Sequence, residues 1–303
     1  MTPERPIRIG SRRSRLARAQ AQIGRAAVEL ALGAEAEIVE IGTIGDAISA
    51  KRPSGRWEST DGQFTGALED ELLAGSIDIA VHSLKDLPTA LRSGLSIAAV
   101  LERGDPRDCL LTRHPGGLAG LPFGASIGTS SPRRAAQLAV ARPDLTAHPI
   151  RGNVDTRIRR LQAGEYDGLL LAAVGLDRLG VPIEEADRLP LDLMLPAPGQ
   201  GALVLQVRAG DRALRARLSS VDHQPTRIAV DAERALLRAI GGGCLAPLGA
   251  YAVVEGDQLR LQAAYEHRDG DYARIAAVGR AAEPSTVVTE AAARLLAASA
   301  AVV

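Results

Sequence analysis

The chain has 303 residues, of which 46% are hydrophobic and 24% charged, and its 36 basic and 36 acidic side chains cancel to zero net charge. This length predicts two or three domains with sizeable cores. A neutral chain is unlike a nucleic-acid-binding protein, which is normally basic, so any anion site must be local and suits a small polyanion.

Cysteine content and hydropathy indicate the compartment. Two cysteines are too few for a disulfide framework, which favours a reducing environment. The first residues lack the apolar segment of a signal peptide, and no run approaches the length of a membrane span. We therefore expect a cytoplasmic protein with no membrane partner.

Strand and helix patterns alternate through the first two-thirds of the chain. The first segment predicts strands at 5–10, 37–41 and 77–81 and helices at 14–32 and 64–73. Residues 47–62 are polar and aperiodic, and a loop of that length is usually functional or disordered. The second segment predicts strands at 109–112, 125–128 and 169–172 and helices at 132–141 and 154–163. This alternation is typical of an α/β architecture with mainly parallel sheets.

The last third of the chain changes character. A strand at 202–207 and a helix near 211–218 are too short to form a core alone, so they must return to a neighbouring domain. The tail then predicts a helix at 227–240, strands at 250–254, 258–264 and 273–279, and a closing helix from residue 285. This pattern favours a small α+β domain. The segments are separated by proline-containing stretches at 103–108, 189–199 and 221–225.

Three predicted helix starts carry arginines. They are Gly10-Ser11-Arg12-Arg13-Ser14, Gly128-Thr129-Ser130-Ser131-Pro132-Arg133-Arg134 and Arg151-Gly152-Asn153-Val154-Asp155-Thr156-Arg157. Ser and Asn are good N-caps and Pro suits the first helical position. A cation at a helix N-terminus costs roughly 0.3–1 kcal/mol, so three such clusters indicate a negatively charged ligand. The alternative is ordinary solvated arginine on the surface.

The segment HSLKDLPT, residues 82–89, directly follows the predicted strand at 77–81. Sheets of α/β proteins commonly bind ligands at the carboxyl ends of their strands. Asp86 in a cleft lined by arginines would stay ionised, and it could stabilise a cation or move a proton. The alternative is a surface turn with a solvated pair of Lys85 and Asp86.

The segment GGGCLAP, residues 241–247, follows a predicted helix with three glycines and then Cys244. Three glycines indicate a flexible loop or a close approach to the backbone, and an exposed thiol there would be nucleophilic. The alternative is a small buried hydrophobic side chain. Cys109 lies in an apolar run and is expected in a core.

Several site classes are excluded by missing motifs. The sequence has no Walker-type loop, no GxGxxG, no HExxH and no CxxC, and its five histidines are scattered. We therefore predict no metal site.

Together these segments resemble the hydroxymethylbilane synthase family, also called porphobilinogen deaminase. The matching segments are GSRRSRLA, IGTIGD, HSLKDLPT, RGDPRD, IGTSSPRR, RGNVDTR, LLLAAVGLDRLG, LPAPGQGAL and ERALLRAIGGGC. The resemblance covers essentially the whole chain. It implies an enzyme that joins four porphobilinogen molecules head to tail, releases ammonia at each step and hydrolyses off the linear tetrapyrrole.

The resemblance also implies roles for individual residues. Cys244 would hold a dipyrromethane cofactor by a thioether bond, as a permanent primer. Asp86 would be the catalytic carboxylate that stabilises cationic azafulvene-like intermediates. The implied cofactor-binding residues are Cys244, Lys85, Asp86, Thr129, Ser130, Ser131, Arg133, Arg134, Arg151 and Gly152. The implied substrate-binding residues are Arg12, Ser14, Phe64, Arg151, Arg157, Arg178 and Gln200.

The implied fold is α/β, with two periplasmic-binding-protein-like lobes, a cleft between them and a small α+β C-terminal domain. We expect the first lobe at 1–100 plus 200–220, the second at 101–199 and the C-terminal domain at 221–303. The resemblance implies a monomer whose partner is the small molecule porphobilinogen. Alternatives are a non-catalytic two-lobed receptor for a small anion and a redox-sensing thiol protein.

Two positions depart from the family pattern. Pro132 stands where leucine is usual, which is a mild change at a first helical turn. The segment 61–67 lacks the lysines common there, and Arg52 or Arg56 could replace their charge.

Overall fold

The computed structural model describes residues 5–42, 65–184, 187–243, 246–267 and 270–298. Its strands are β1 (Ile7–Arg12), β2 (Ala36–Ile41), β3 (Ile79–Ser83), β4 (Leu95–Val100), β5 (Asp108–Thr112), β6 (Ser126–Gly128), β7 (Thr146–His148), β8 (Gly168–Ala172), β9 (Leu203–Arg208), β10 (Leu248–Glu255), β11 (Gln258–Glu266) and β12 (Tyr272–Arg280). Its helices are α1 (Arg15–Leu32), α2 (Gly66–Ala74), α3 (Pro132–Ala141), α4 (Val154–Gln162), α5 (Ala173–Leu179), α6 (Arg212–Leu218), α7 (Gln224–Ala239) and α8 (Pro284–Ala297). The predicted loop at 47–62, Phe64 and Cys244 lie outside the described residues.

The first sheet has the strand order β2-β1-β3-β9-β4. β3 and β9 form its centre because both are almost continuously apolar and buried. β1 pairs in parallel with β2 and β3, whereas β9 is antiparallel to both β3 and β4. β9 therefore returns to the first sheet after the chain has built the second.

Helix α1 packs on the first sheet through a stripe of small and apolar side chains. The hydroxyl of Ser14 caps the helix by accepting from the backbone N–H of Ala17 at 3.2 Å. Gly24 faces β3 so closely that a Cβ atom there would lie 2.5 Å from Cγ2 of Val81. The helix can lie against the sheet only because this position carries no side chain.

The second sheet has the order β5-β8-β6-β7. β6 pairs in parallel with β7 and β8, and β5 is antiparallel to β8. The expectation of mainly parallel sheets is therefore only partly right. The antiparallel pairs are those of β9 with β3 and β4 in the first sheet and of β5 with β8 in the second.

Two chain segments connect the α/β sheets and lie side by side. One runs from β4 to β5 and the other from α5 to β9. The backbone N–H of Gly104 donates to the carbonyl of Gly201 at 3.3 Å across them. A Cβ atom at Gly201 would lie 2.6 Å from the carbonyl oxygen of Gly104, so this contact requires glycine.

The third sheet, β10-β11-β12, is antiparallel and forms a separate C-terminal domain with α7 and α8. Its core joins apolar side chains of both helices, such as Leu236 and Leu295, with Leu248, Leu259 and Leu261 of the strands. This confirms the expected α/β class with a small α+β domain at the C-terminal end. Within the described residues, no helix has the length and apolarity needed to cross a membrane.

Candidate active site

A single 3-10 turn, Leu84–Asp86, carries the two charged residues that follow β3. Leu84 and Leu87 are buried and anchor the turn, whereas Lys85 is half-buried and Asp86 is exposed. Because apolar residues fix both ends of the turn, Lys85 and Asp86 are held at the carboxyl edge of the first sheet. The strand-end location predicted for them is the one observed.

The N-terminus of α3 holds two buried arginines around one carboxylate. Nη1 of Arg133 and Nη2 of Arg134 each lie 2.7 Å from an oxygen of Asp108. Burial alone would raise the pKa of Asp108, but the two guanidinium groups outweigh burial and hold its pKa well below the usual range. Part of the counter-charge that we expected from a ligand therefore comes from the chain itself.

Hydroxyl groups organise this helix start. Ser131 caps α3, with its Oγ accepting from the backbone N–H of Arg134 at 3.4 Å. Ser130 donates to the carbonyl of Ile150 at 2.6 Å and accepts from its N–H at 2.9 Å. Thr129 is buried and accepts from the N–H of Ser131 at 3.2 Å. The three hydroxyls thus fix the backbone of the loop.

Lys85 lies next to this cluster. Its Nζ donates to Oε1 of Gln200 at 3.3 Å. Burial lowers the pKa of Lys85 to about 8, with Arg133 and Arg134 adding to the effect and Asp86 opposing it. Lys85 is therefore largely charged at neutral pH and loses its charge just above it.

Gln200 lies inside the protein between Lys85 and Asp108. Its side chain is fully buried, and Nε2 donates to the carbonyl of Pro106 at 2.7 Å and to Asp108 at 2.8 Å. With Oε1 accepting from Lys85, both ends of the amide are engaged inside the protein. Gln200 therefore links Lys85 to Asp108, and its contact with substrate stays a prediction.

A cavity of about 220 Å³ is bordered by residues of both α/β parts and of the C-terminal domain. Its wall includes Lys85 and Pro88 after β3, Ser131 and Arg133 at the start of α3, and Arg234 and Gly243 of the C-terminal domain. Gly243 immediately precedes Cys244 in the sequence. The turn, the arginine cluster and Gly243 thus border one space.

The remaining predicted arginines are held by backbone carbonyls or lie at helix starts. Arg157 donates to the carbonyl of Gly152 at 2.8 Å and Arg178 to that of Gly201 at 2.6 Å. Burial lowers the pKa of both to about 10, so both remain positive at neutral pH. Arg12 ends β1 and Arg151 precedes α4, and both are half-buried.

One detail of the helix-start prediction needs correction. Asn153 stands at the N-cap position of α4, but its side chain makes no capping hydrogen bond. Gly152 has a φ of 110°, a conformation that favours glycine, and this geometry shapes the loop instead. The hydroxyl of Ser14 accepts a hydrogen bond in capping α1, and a hydroxyl that accepts can still donate its own O–H.

Sequence reasoning did not find Asp108, Glu233 or Arg234 as contributors to this region. Asp108 lies at the start of the apolar run of β5, and a charge at such a buried position is the signal that could have identified it.

Among the described residues, no group of three potential metal ligands is found.

Most of the chain is similar to known proteins. A family model described as porphobilinogen deaminase, dipyromethane cofactor binding domain, matches residues 7–216, and its C-terminal domain model matches residues 227–297. The chain is 47% identical over 270 residues to porphobilinogen deaminase of Thermobifida fusca, which covers 88% of this chain and 83% of that protein. It is 44% identical over 277 residues to the Roseiflexus sp. protein of the same name, covering 91% of each. The solved methionine binding protein MetQ overlaps at a TM-score of 0.41, with 11% identity, over 71% of this chain and 89% of that one.

Proposed function

We propose that the cavity beside Lys85, Arg133 and Gly243 is the active site of the porphobilinogen deaminase reaction, since the chain belongs to the porphobilinogen deaminase family. The chain is a transferase of tetrapyrrole biosynthesis that polymerises four porphobilinogen molecules into hydroxymethylbilane and releases ammonia. Its cofactor is dipyrromethane. One observation carries the location of the site: buried cations outnumber carboxylates in the cluster at this cavity.

The residues at the cavity fit a polyanionic cofactor. Lys85, Arg133 and Arg134 surround the single carboxylate of Asp108, so the four groups together keep a positive charge. Nε of Arg133 is buried without a hydrogen-bond partner in the described part of the chain. A buried donor of this kind is costly unless an acceptor reaches it. The carboxylates of a dipyrromethane, two on each pyrrole, would supply both acceptor and charge.

Cys244 is our candidate for the attachment of the cofactor. Gly243, the residue that precedes Cys244 in the sequence, borders the cavity, which supports this assignment. Cys109 is unsuited, because it is fully buried in the second sheet and burial raises the pKa of its thiol to about 12. When bound, dipyrromethane supplies the pyrrole carbon to which the first substrate is joined.

Asp86 is our candidate for the catalytic carboxylate. Positive charge develops on the pyrrole ring of porphobilinogen as ammonia leaves. A carboxylate about 4 Å from such a charge gains roughly 4 kcal/mol at an effective dielectric of 20, against roughly 1 kcal/mol in water. The anchored turn holds Asp86 between Lys85 and Leu87, which both line the cavity. From there its carboxylate can stabilise that charge and accept hydrogen bonds from pyrrole N–H groups.

The other predicted residues form a proposed path for the carboxylates of the growing chain. The members of this path are Arg12, Ser14, Phe64, Thr129, Ser130, Arg151, Gly152, Arg157 and Arg178. The charges retained by Arg157 and Arg178 at neutral pH support their part in it. Charge-assisted hydrogen bonds of this kind contribute about 1.5–3 kcal/mol each.

The domain division follows the same proposal. Residues 1–100 plus 200–220 form the lobe with Asp86, residues 101–199 the lobe with the arginine cluster, and residues 221–303 the domain that bears Cys244. The return of β9 to the first sheet supports the split first lobe. We further propose that the chain works as a cytoplasmic monomer.

Intact-protein mass spectrometry tests this function. The purified chain should carry an added mass of one dipyrromethane that maps to Cys244, and it should release hydroxymethylbilane when given porphobilinogen. Cys244→Ser should lose both the adduct and turnover, whereas the matched variant Cys109→Ser should keep the adduct. A wild-type chain that binds porphobilinogen without adduct or product would instead support a non-catalytic anion-binding protein.

A further inference from the structure

Helix α7 reaches across from the C-terminal domain to the turn that carries Lys85 and Asp86. The guanidinium of Arg234 donates to the carbonyls of Leu84 at 3.3 Å, Leu87 at 2.9 Å and Pro88 at 2.7 Å. Arg234 is only 5% exposed. One planar side chain therefore binds both the start and the end of the turn.

These carbonyls need a donor from elsewhere. A short 3-10 turn leaves most of its carbonyl groups without partners inside the turn. Within the turn, Leu84 accepts one hydrogen bond, from the N–H of Leu87 at 3.2 Å. Pro88 has no N–H, so the backbone cannot extend β3 or a helix beyond this point. A buried guanidinium with several donors in a fixed fork suits such a set of carbonyls.

The position of Arg234 in the chain connects this contact to the proposed cofactor site. It lies in α7, which ends at Ala239 and leads through Gly241 to Gly243, next to Cys244. The contact therefore joins the helix that precedes the proposed cofactor-bearing cysteine to the turn that bears the proposed catalytic carboxylate. The two partners are 150 residues apart in sequence.

We propose that Arg234 is a positioning residue that fixes the turn of Lys85 and Asp86 relative to the C-terminal domain. This inference rests on the proposed function for the roles of Asp86 and Cys244. Arg234 acts through the backbone of the turn, so its loss moves Asp86 without removing any catalytic group. A displacement of about 1 Å in a reacting group costs up to about 100-fold in rate.

Arg238 provides a matched control on the same helix. It lies one turn beyond Arg234, is exposed, and donates to the carbonyl of Thr89 at 3.4 Å. Arg234→Met should lower kcat by about 10- to 100-fold with a smaller change in KM, while Arg238→Met should stay within about twofold of the wild type. Arg234→Lys should recover part of the loss, because an ammonium group cannot reach all the carbonyls at once.

Hydrogen exchange followed by mass spectrometry gives a readout that does not depend on turnover. In the cofactor-loaded protein, Arg234→Met should speed amide exchange in the peptide covering residues 84–90, and Arg238→Met should not. If Arg234→Met fails to fold, Arg234→Lys carries the same measurement.

The possible results separate this inference from the proposed function. Unchanged kcat and unchanged exchange in Arg234→Met would overturn the positioning role while an active wild type kept the function. Loss of the cofactor adduct, or a raised KM with kcat unchanged, would also overturn it, because Arg234 would then bind a ligand directly. A wild type without adduct or turnover would overturn the function. Amide exchange in residues 84–90 of the adduct-free protein would then still show whether Arg234 holds the turn.

Discussion

Arg103 and Glu233 form a two-point ion pair that joins the C-terminal domain to the segment connecting β4 with β5. Nη1 of Arg103 lies 2.6 Å from Oε1 of Glu233, and Nη2 lies 3.2 Å from Oε2. The same carboxylate accepts from the backbone N–H groups of Gly199 and Ala252, each at 2.7 Å. Nε of Arg103 donates to the carbonyl of Gln200 at 2.8 Å. This pair therefore anchors the segment that positions Gln200, and through it Lys85.

Removing one partner of this pair should be costly. The side chains of Arg103 and Glu233 are 10% and 0% exposed, so Glu233→Gln leaves an uncompensated buried cation and should lower the free energy of unfolding by about 3–5 kcal/mol. Chemical denaturation measures this change. The control is Glu290→Gln, which breaks an exposed pair with Arg294 and should cost less than about 1 kcal/mol. Equal effects of the two substitutions would contradict the anchoring role.

Asp108 should matter for stability in a pH-dependent way. Its pKa in the folded state lies below its value of about 3.9 in the unfolded chain. Its ion pairs therefore contribute fully above pH about 4 and are lost as the pH falls below that. Asp108→Asn should destabilise the protein by about 3–5 kcal/mol at pH 7.

Denaturation curves at pH 7 and at pH 3.5 check this expectation. The difference between wild type and Asp108→Asn should shrink at the lower pH. The exposed pair of Asp70 with Arg92 provides the control, because Asp70→Asn should have little effect at either pH. A difference that grew on acidification would have the wrong sign for this account.

Lys85 should give the activity an alkaline limit. Its pKa of about 8 means that the ammonium charge disappears as the pH rises through that value. Because Lys85 is proposed to bind a carboxylate of the cofactor, kcat should fall above pH 8. Arg stays charged throughout this range, so Lys85→Arg should move the fall to higher pH. A fall in kcat at the same pH in Lys85→Arg would show that another group causes it.

Gly24 tests the close packing of α1 on β3. Alanine is normally favoured over glycine inside a helix by about 0.5–1 kcal/mol. The added methyl group would lie 2.5 Å from Val81, so Gly24→Ala should instead destabilise the protein by about 1–3 kcal/mol. Thermal unfolding measures the effect. Adding Val81→Ala opens space, and the double variant should then show a smaller penalty than the sum of the two single ones.

Much of the fold could be predicted because local patterns determine these elements. The helix predicted at 132–141 coincides with α3, whose Ser131 cap and Pro132 are readable signals. The prediction missed α5 (Ala173–Leu179), because its sequence continues the apolar run of β8 without a polar break. It also missed β4 and β7; β7 has only three residues, too few to show a period.

The site was less predictable than the fold. The location of Lys85 and Asp86 followed from their place after β3, since strand ends meet at one edge of a sheet. The pairing of Asp108 with Arg133 and Arg134, and the contact of Arg234 with the turn, join residues 25 to 150 positions apart. A single sequence carries no local signal for such contacts. The burial of Gln200 and the missing cap at Asn153 likewise depend on tertiary packing.

The central claim is that Asp86 performs the chemistry on a cofactor fixed at Cys244. Turnover of Asp86→Asn, measured together with its intact mass, tests this most directly. The variant should keep the dipyrromethane adduct and lose about 100- to 1,000-fold in kcat, as expected when one preorganised stabilising group is removed. Near-normal formation of hydroxymethylbilane by this adduct-bearing variant would contradict the account.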